Sequence, residues 1–338
     1  MDSDARIALI MTFRDEAANL PLVLASLAGQ TLPRERLLLV AVDNGSLDDG
    51  AAVVRDWLVE TGTEGQVLTL PRPSIPAALN AALGHVAPHD YVVRIDAHTL
   101  YAADYLETIL RAFENLPGDV WCVGGSPEVT GQGSFGRELH VALFASPMGL
   151  GAADYRSSDQ VRQVASVYLG AWRPGVLHRL GGYDEAWQAN EDAELAERVR
   201  EGGGRVFRVP ARSRKVVTRG AYGAFAQWTR YGWWRAQTFK RHPGAIRPRH
   251  AAPPAALVLG TLLAVSPARP LLVPLGLAYA AAVWARRPRG QRLPVTLASM
   301  LYFPLVQAGY GAGMLAGALT GTARNPRLPE ASEVRAVR

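Results

Sequence analysis

The sequence predicts an α/β protein with a mostly parallel sheet, followed by a C-terminal helical membrane region. Three observations lead to this fold class. Apolar extended runs alternate with helical patterns as far as residue 201. Apolar residues make up 49% of the 338 positions and charged residues only 20%, which allows a sizeable core and excludes intrinsic disorder. From about residue 251, three long stretches are almost entirely apolar.

The alternating elements can be assigned in chain order. Five strands are predicted, at Ile7–Met11, Leu37–Val42, Gln66–Leu70, Tyr91–Ile95 and Trp121–Gly124. The helices between them are Ala17–Leu27, Gly50–Glu60, Pro76–Val86 and Asp104–Asn115. This spacing is typical of right-handed units with parallel strands, which bind ligands beyond the carboxyl ends of the strands. The residues that follow each strand are therefore the first candidates for function.

The cysteine count and the N-terminus indicate a reducing compartment. Cys122 is the only cysteine, which excludes a disulfide-stapled secreted module, and its place on a predicted buried strand is typical of a small core residue. The first fifteen residues lack the basic start and apolar stretch of a signal peptide. We therefore expect the N-terminal domain to be cytoplasmic.

The net charge of +6 conceals a strong asymmetry along the chain. Residues 1–201 carry a net charge of −13, and residues 202–338 carry +19. No acidic residue occurs between Glu201 and Glu330. A basic run of this length favours an anionic partner, for which nucleic acid and anionic lipid are the two candidates.

The apolar stretches are interpreted as membrane-embedded helices over residues 251–320. They are Ala255–Ser266, Leu271–Ala285 and Leu293–Leu319, and only the last has the roughly 20 residues that a span requires. The first two are either tilted spans or the two arms of a hairpin, and a buried helical core is the alternative. The positive-inside rule places the basic run 286–292 on the cytoplasmic side, so we expect a multi-pass protein of the cell membrane. The polar tail is assigned to residues 321–338.

Polar residues cluster where the predicted strands end. The first strand continues into Thr12 and Glu16, the second ends at Asp43, and the fourth ends at Asp96 and His98. An Asp before a Gly-Ser turn is often only a helix cap or turn former, and an Asp-x-His triplet alone is a weak motif. Their shared position after buried strands is what makes them candidates for a site.

Seven ordered blocks carry a resemblance to a known family. They are Met11–Pro21, Val42–Asp48, Ala78–Ala82, Arg94–His98, Leu180–Glu185, Asn190–Leu195 and Gln227–Tyr231. Over residues 5–245 the chain resembles the family 2 glycosyltransferases, which implies the GT-A fold with a mixed, mostly parallel sheet. It is most similar to the membrane-attached bacterial branch that includes succinoglycan-type exopolysaccharide enzymes. The resemblance places the catalytic domain at residues 1–220.

The resemblance implies a nucleotide-sugar donor held by the strand-end residues. Thr12, Glu16 and Asp43 are expected to contact the nucleoside. Asp96 and His98 stand where the family has an Asp-x-Asp motif that holds a divalent cation against the diphosphate. Because His98 replaces a carboxylate with imidazole, Mn²⁺ is as reasonable an occupant as Mg²⁺.

The resemblance also implies the catalytic group. Asp192, in the Glu191-Asp192 pair at a predicted helix start, is expected to be the general base that takes the proton from the acceptor hydroxyl. Glu191 is expected to shape its electrostatic field. A single displacement inverts the anomeric configuration. Without the resemblance, a carboxylate pair at a helix N-terminus is equally typical of a cap stabilised by the helix dipole.

The segment 221–250 is interpreted as an amphipathic interfacial helix. Trp and Arg residues alternate here just before the apolar stretches, a pattern typical of headgroup contact at an anionic membrane. Binding to nucleic acid would leave those stretches unexplained, so we expect no nucleic-acid partner. Arg230 has the alternative of reaching the donor diphosphate.

The predicted function is transfer of a sugar, of the hexosyl type, to a lipid-linked or membrane-presented saccharide in cell-envelope or exopolysaccharide synthesis. Three alternatives remain at this stage. One is transfer to polyprenyl phosphate, which is already ionised and needs no general base. Another is a decayed nucleotide-sugar-binding membrane protein, and the third is a metal-dependent nucleotidyltransferase on a similar fold.

Overall fold

The computed structural model describes residues 6–131, 133–149, 160–217, 220–322 and 335–336. These residues form two compact units. The first unit contains residues 6–128, 160–216 and 335–336, and the second contains the remaining described residues. Of the predicted polar tail, residues 323–334 and 337–338 lie outside the described part.

The described residues contain one sheet of ten strands. In chain order they are β1 Ile7–Phe13, β2 Leu37–Asp43, β3 Glu64–Thr69, β4 Tyr91–Asp96, β5 Thr99–Tyr101, β6 Val120–Thr130, β7 Arg162–Gln163, β8 Tyr168–Trp172, β9 Arg205–Val216 and β10 Arg335–Ala336. Their spatial order is β10-β3-β2-β1-β4-β8-β6-β9-β5, and β7 pairs with β9. β3, β2, β1 and β4 are parallel to one another, whereas β8 is antiparallel to both β4 and β6. The sheet is therefore mixed, and its parallel half is the part that the strand-helix alternation predicted.

Helices alternate with the parallel strands. In the first unit they are α1 Leu20–Ala28, α2 Gly50–Thr61, α3 Ile75–Leu83, α4 Tyr105–Asn115, α6 Val176–Arg179 and α7 Glu191–Glu201. Side chains of β1 alternate between two cores, since Ile7, Leu9 and Met11 join one cluster and Ala8 and Ile10 join the other. Burial on both faces explains why β1 and β2 have nearly continuous apolar sequences.

The second unit is built from helices. They are α5 Phe135–Ala145, α8 Ala221–Arg241, α9 Pro248–Val265, α10 Leu272–Ala285 and α11 Leu293–Leu319. Leu143, Ala224, Phe303 and Val306 belong to its core.

Glycines let α8 and α11 approach closely. A Cβ added to Gly232 on α8 would overlap the backbone of Tyr310, and one added to Gly313 on α11 would overlap the backbone of Thr229. Polar side chains are buried on the same elements, including Gln237 and Ser299. The small residues of α11, which the sequence suggested were membrane-helix residues, serve this close helix packing.

The prediction of membrane-spanning segments within residues 251–320 requires correction. None of the described helices combines the length and the apolarity needed to cross a membrane. α9 begins with basic and proline residues, α10 has only 14 residues, and α11 includes Pro304 and Gln307 among its apolar positions.

Candidate active site

The carboxyl ends of three neighbouring strands bring the predicted residues together. In the sheet register Thr12 lies beside Asp96, and Phe13 lies beside Asp43. Thr12, Asp43 and Asp96 therefore share one edge of the sheet, as the strand pattern predicted. The buried hydroxyl Oγ1 of Thr12 has no hydrogen-bond partner within the described part of the chain. An unpaired buried hydroxyl is unfavourable. The nucleoside contact expected for Thr12 remains a prediction.

The loops after β1 and β2 are tied to each other. The backbone N–H of Asp15 donates to Ser46 Oγ (3.1 Å), and the N–H of Leu47 donates to Asp15 Oδ1 (2.7 Å). The N–H of Ala17 donates to Asp48 Oδ2 (2.8 Å). Asp15 has a φ of 55°, a left-handed conformation that Asp tolerates better than most residues. Sequence reasoning missed the roles of Asp15 and Asp48, although both lie inside blocks that carry the family resemblance.

Asp43 forms a turn, the common role of an Asp that comes shortly before a Gly-Ser pair. It is buried, and its Oδ1 accepts a hydrogen bond from the backbone N–H of Ser46 (2.8 Å). The neighbouring Asn44 accepts from the N–H of Ser74 (2.7 Å), which attaches the turn to the start of α3. The donor contact expected for Asp43 remains a prediction.

Asp96 is held as an anion. Tyr168 donates its hydroxyl to Asp96 Oδ2 (2.9 Å), and the backbone N–H of Asp96 donates to the Tyr101 hydroxyl (2.8 Å). Burial alone would raise the pKa of Asp96, but the charges of His98, Lys215 and Arg94 outweigh it and lower the pKa to about 2. A carboxylate that stays ionised at every physiological pH is suited to binding a cation.

His98 lies between two carboxylates. Its Nε2 is 3.2 Å from Asp96 Oδ2, and its Nδ1 is 3.5 Å from Glu16 Oε1. Glu16 also accepts a hydrogen bond from Asn19 Nδ2 (2.6 Å) on its other oxygen. The structure therefore brings Glu16, Asp96 and His98 together, which the sequence predicted only through their positions after β1 and β4.

Asp96 and His98 can supply part of the ligand set of a divalent cation. Asp96 supplies an ionised oxygen and His98 an imidazole nitrogen, a combination that suits Mn²⁺ better than Mg²⁺. Among the described residues, no group of three or more His, Cys, Asp or Glu side chains is arranged to hold a metal ion. Diphosphate oxygens and water would have to complete the coordination.

The predicted catalytic pair lies at the start of α7. Asn190 precedes this helix with a φ of 60°, a left-handed conformation in which Asn is common. Glu191 and Asp192 both accept hydrogen bonds from Arg94 Nη1, the first at 3.0 Å. The Asp192 side chain is 33% exposed and that of Glu191 only 9%. Asp192 is thus the more accessible of the two carboxylates.

The environment of Asp192 raises its pKa to a value near neutral pH. Burial raises its pKa, the charge of Arg94 lowers it, and the charges of Glu191 and Asp96 raise it, with a result of about 6. At pH 7 the carboxylate is mostly ionised and its affinity for a proton is well above that of an ordinary Asp. A pKa near the working pH is favourable for general base catalysis.

Arg94 was not predicted as a site residue. Its signal in the sequence was a charged side chain inside the buried strand Tyr91–Asp96, ahead of the predicted site residue Asp96 at the strand end. A buried guanidinium requires an anionic partner, which two of the predicted site residues provide.

The loop before α7 is fixed by Asn80 on α3. Asn80 Nδ2 donates to the carbonyl of Tyr183 (2.9 Å) and to Glu185 Oε1 (2.8 Å), while its Oδ1 accepts from the N–H of Tyr183 (2.7 Å). Gly182, with a φ of 71°, lies so close to Asn80 that a Cβ would overlap the amide oxygen. Asn80 therefore links two of the blocks that carry the resemblance, Ala78–Ala82 and Leu180–Glu185.

Arg230 lies on α8, in the second unit. Its choice between lipid headgroups and the donor diphosphate remains a prediction.

A family match covers much of the first unit. Residues 8–162 match the family described as "Glycosyl transferase family 2". Residues 8–162 therefore resemble a family 2 glycosyltransferase, in agreement with the resemblance that the motifs carry.

A curated relative narrows the likeness to enzymes of exopolysaccharide synthesis. "Succinoglycan biosynthesis protein ExoA" from Rhizobium meliloti (strain 1021) is 28% identical over 270 residues, covering 76% of this chain and 78% of the relative. The motifs indicated a similarity to the same kind of enzyme, those of succinoglycan-type exopolysaccharide synthesis.

Solved structures share the fold at low identity. "Mannosyltransferase PcManGT from Pyrobaculum calidifontis in complex with GDP-Man and Mn2+" has a TM-score of 0.61 and 20% identity, covering 91% of this chain and 86% of its own. S. aureus TarS 1–349 has a TM-score of 0.51 and 11% identity, covering 92% of this chain and 90% of its own. The likeness shows a GT-A-like α/β fold with a mixed sheet.

Proposed function

We propose that the protein is an inverting glycosyltransferase that moves a sugar from a nucleotide-sugar to a hydroxyl of a lipid-linked or membrane-presented saccharide. The observation that carries the proposal is Asp192, a partly exposed carboxylate with a pKa of about 6 that interacts electrostatically with Asp96. The likeness to a succinoglycan biosynthesis protein supports a place in exopolysaccharide synthesis.

The proposed reaction is one displacement at the anomeric carbon. Asp192 accepts the proton of the acceptor hydroxyl while that oxygen forms a bond to the anomeric carbon. The bond between the anomeric carbon and the diphosphate breaks on the opposite side, and the nucleoside diphosphate leaves with the electron pair. The configuration of the sugar is inverted. Thr12, Glu16 and Asp43 would orient the nucleoside by hydrogen bonds at the strand ends.

Asp96 and His98 are proposed to hold a divalent cation against the diphosphate. When bound, such a cation neutralises the charge that develops on the departing nucleoside diphosphate. The Mn²⁺ in the mannosyltransferase complex of the same fold supports this choice of metal. In this chain Tyr168 keeps the Asp96 carboxylate oriented, and the lowered pKa keeps it free of a proton.

Nucleotide-sugars are the proposed donor class, and the neighbours suggest which to try first. One solved relative of this fold holds GDP-Man and another holds UDP. A thermal-shift screen of GDP-sugars and UDP-sugars, each with and without Mn²⁺, tests donor binding without an acceptor, because a ligand of the native state raises its melting temperature. Release of a nucleoside diphosphate supports glycosyl transfer, whereas release of pyrophosphate would identify a nucleotidyltransferase.

We propose that the protein works at the cytoplasmic face of the cell membrane, with the second unit in contact with anionic lipid. The support is chemical: α9, α10 and α11 leave many large apolar side chains exposed, and the same region has no acidic residue. The exposed apolar side chains include Leu259, Leu262, Val265, Val273, Leu275, Leu277, Leu301 and Leu305. Arg286, Arg287, Arg289 and Arg292 supply positive charge between α10 and α11. Apolar and basic groups together are the chemistry that binds an anionic bilayer surface.

A further inference from the structure

We propose that Arg94 is a positioning residue for the general base, holding one oxygen of Asp192 so that the other faces the acceptor hydroxyl. The inference rests on the role proposed for Asp192, but it assigns a function to a residue outside the nucleotide-sugar and metal contacts. Arg94 is a positioning residue because it acts through Asp192.

The geometry of the contact is the first support. Arg94 lies on β4, beside Ile10 of β1, and its side chain is only 9% exposed. A single nitrogen, Nη1, donates both to Glu191 Oε1 and to Asp192 Oδ1. The guanidinium therefore restrains the first turn of α7 from the centre of the sheet. Hydrogen bonds between charged groups are shorter and stronger than neutral ones, which suits a group that restrains a carboxylate.

The difference between the two carboxylates is the second support. Glu191 is as buried as Arg94 and forms an ion pair with it, whereas Asp192 is one-third exposed. If Arg94 were only balancing a buried charge, Glu191 alone would suffice. The additional contact with the exposed carboxylate is what indicates a role in orienting Asp192.

Five groups face Asp192 and set the expected effect of substitutions. Arg94 favours its ionised form, while Glu191 and Asp96 oppose it. Tyr183 and Cys122 also interact with it, but burial raises the pKa of each, so both are neutral near pH 7. Loss of Arg94 should therefore raise the pKa of Asp192, and loss of the Glu191 charge should lower it. The two substitutions are therefore expected to shift the pKa of Asp192 in opposite directions.

The experiment is the pH dependence of kcat and kcat/KM for Arg94→Met, Arg94→Lys and Glu191→Gln, with saturating Mn²⁺. The base must be ionised, so activity rises with pH through the pKa of Asp192. This rise is the acidic limb of the pH profile. For Arg94→Met we expect kcat to fall at least about tenfold at pH 7 and the acidic limb to move up by about one pH unit. Arg94→Lys should recover part of both, because it restores the charge without the planar geometry. Glu191→Gln should move the limb to lower pH.

Arg198→Met is the matched control. Arg198 forms a buried ion pair with Glu194 on the same helix (2.8 Å) and donates to the carbonyls of Leu180 and Gly182. We expect it to lower the melting temperature without moving the acidic limb.

Three results would overturn the inference. One is a limb that stays in place in Arg94→Met and Arg94→Lys. Another is a limb that does not move, or moves upward, in Glu191→Gln, which tests the arrangement even if the Arg94 variants do not fold. The third is a higher KM for the donor with unchanged kcat, which would place Arg94 on the diphosphate. Failure of the proposed function gives a different result, since Asp192→Asn would then remain active.

Discussion

Replacement of Asp192 by asparagine should stabilise the protein at alkaline pH. Folding raises the pKa of Asp192 from an ordinary 3.8 to about 6, so the folded state holds the proton more tightly than the unfolded chain does. The stability that comes from this protonated form is fully present below about pH 4 and is lost as the pH rises through 6. Above that pH the ionised carboxylate is a net cost of folding. Asparagine removes this cost, and Arg94 keeps Glu191 as its partner.

The size of the effect follows from the difference between the two pKa values. It corresponds to about 3 kcal/mol, which we reduce to about 1–2 kcal/mol because one-third of the Asp192 side chain is exposed to solvent. At pH 8 we expect Asp192→Asn to unfold at higher urea concentration than the wild type. At pH 5 the advantage should shrink to about half, because the folded wild type is then mostly protonated.

The assay is urea unfolding of the full chain at pH 5 and pH 8, without added metal. Asp96→Asn is a control of opposite sign, because the pKa of Asp96 is lowered to about 2 and its ionised form stabilises the fold at both pH values. It should therefore unfold at lower urea concentration. The reasoning is refuted if Asp192→Asn is less stable than the wild type at pH 8, or if its advantage is the same at both pH values.

Two further predictions concern the metal and the membrane. Asp96→Ala should abolish the dependence of donor binding on Mn²⁺. His98→Asp should keep that dependence and shift the metal preference toward Mg²⁺, because the substitution restores an all-oxygen site. Calorimetry of donor binding with each metal checks this prediction, and unchanged metal dependence in both variants would contradict it. The full chain should sediment with vesicles of anionic lipid far more than with neutral ones, and less so as salt rises, at about 1 kcal/mol per basic residue near the surface. Replacing Arg286, Arg287 and Arg289 by Gln should weaken this binding, and equal binding to neutral vesicles would argue against the electrostatic part of the proposal.

The parallel half of the fold was predictable because its information is local. β1, β2 and β4 are mostly buried runs in a regular alternation of strands and helices, and strand order determines which loops meet at the carboxyl edge. Thr12, Asp43 and Asp96 could therefore be placed together without any structure. The antiparallel strands β8 and β9 are paired over long sequence separations, and the sequence carries no equivalent local signal for them.

The contacts that complete the site could not be predicted for the same reason. Tyr168 reaches Asp96 across 72 residues, and Arg94 reaches Asp192 across 98. Each depends on which antiparallel strand or helix start lies beside β4. His98 was predicted from its motif, but its position between Glu16 and Asp96 required the structure.

The composition of the C-terminal helices favoured membrane spans, which none of the described helices fits. Glycine and alanine raise apolar content in the same way whether a helix crosses lipid or packs closely against another helix. In α11 the glycines at 309, 313 and 317 face α8, and a Cβ at any of them would clash with that helix. The sequence shows that small residues are present, but their contacts are known only from the structure.

The most direct test of the central claim is the turnover of Asp192→Asn measured with the donor found in the thermal-shift screen and a saccharide acceptor. We expect turnover to fall by about 10² to 10⁴, the usual contribution of a general base, while donor affinity stays within about twofold of the wild type. Asp119→Asn, which alters an exposed carboxylate of the first unit, should leave turnover unchanged. An Asp192→Asn variant that keeps more than half of wild-type turnover would contradict the account, and activity toward polyprenyl phosphate that survives the substitution would favour an acceptor that needs no base.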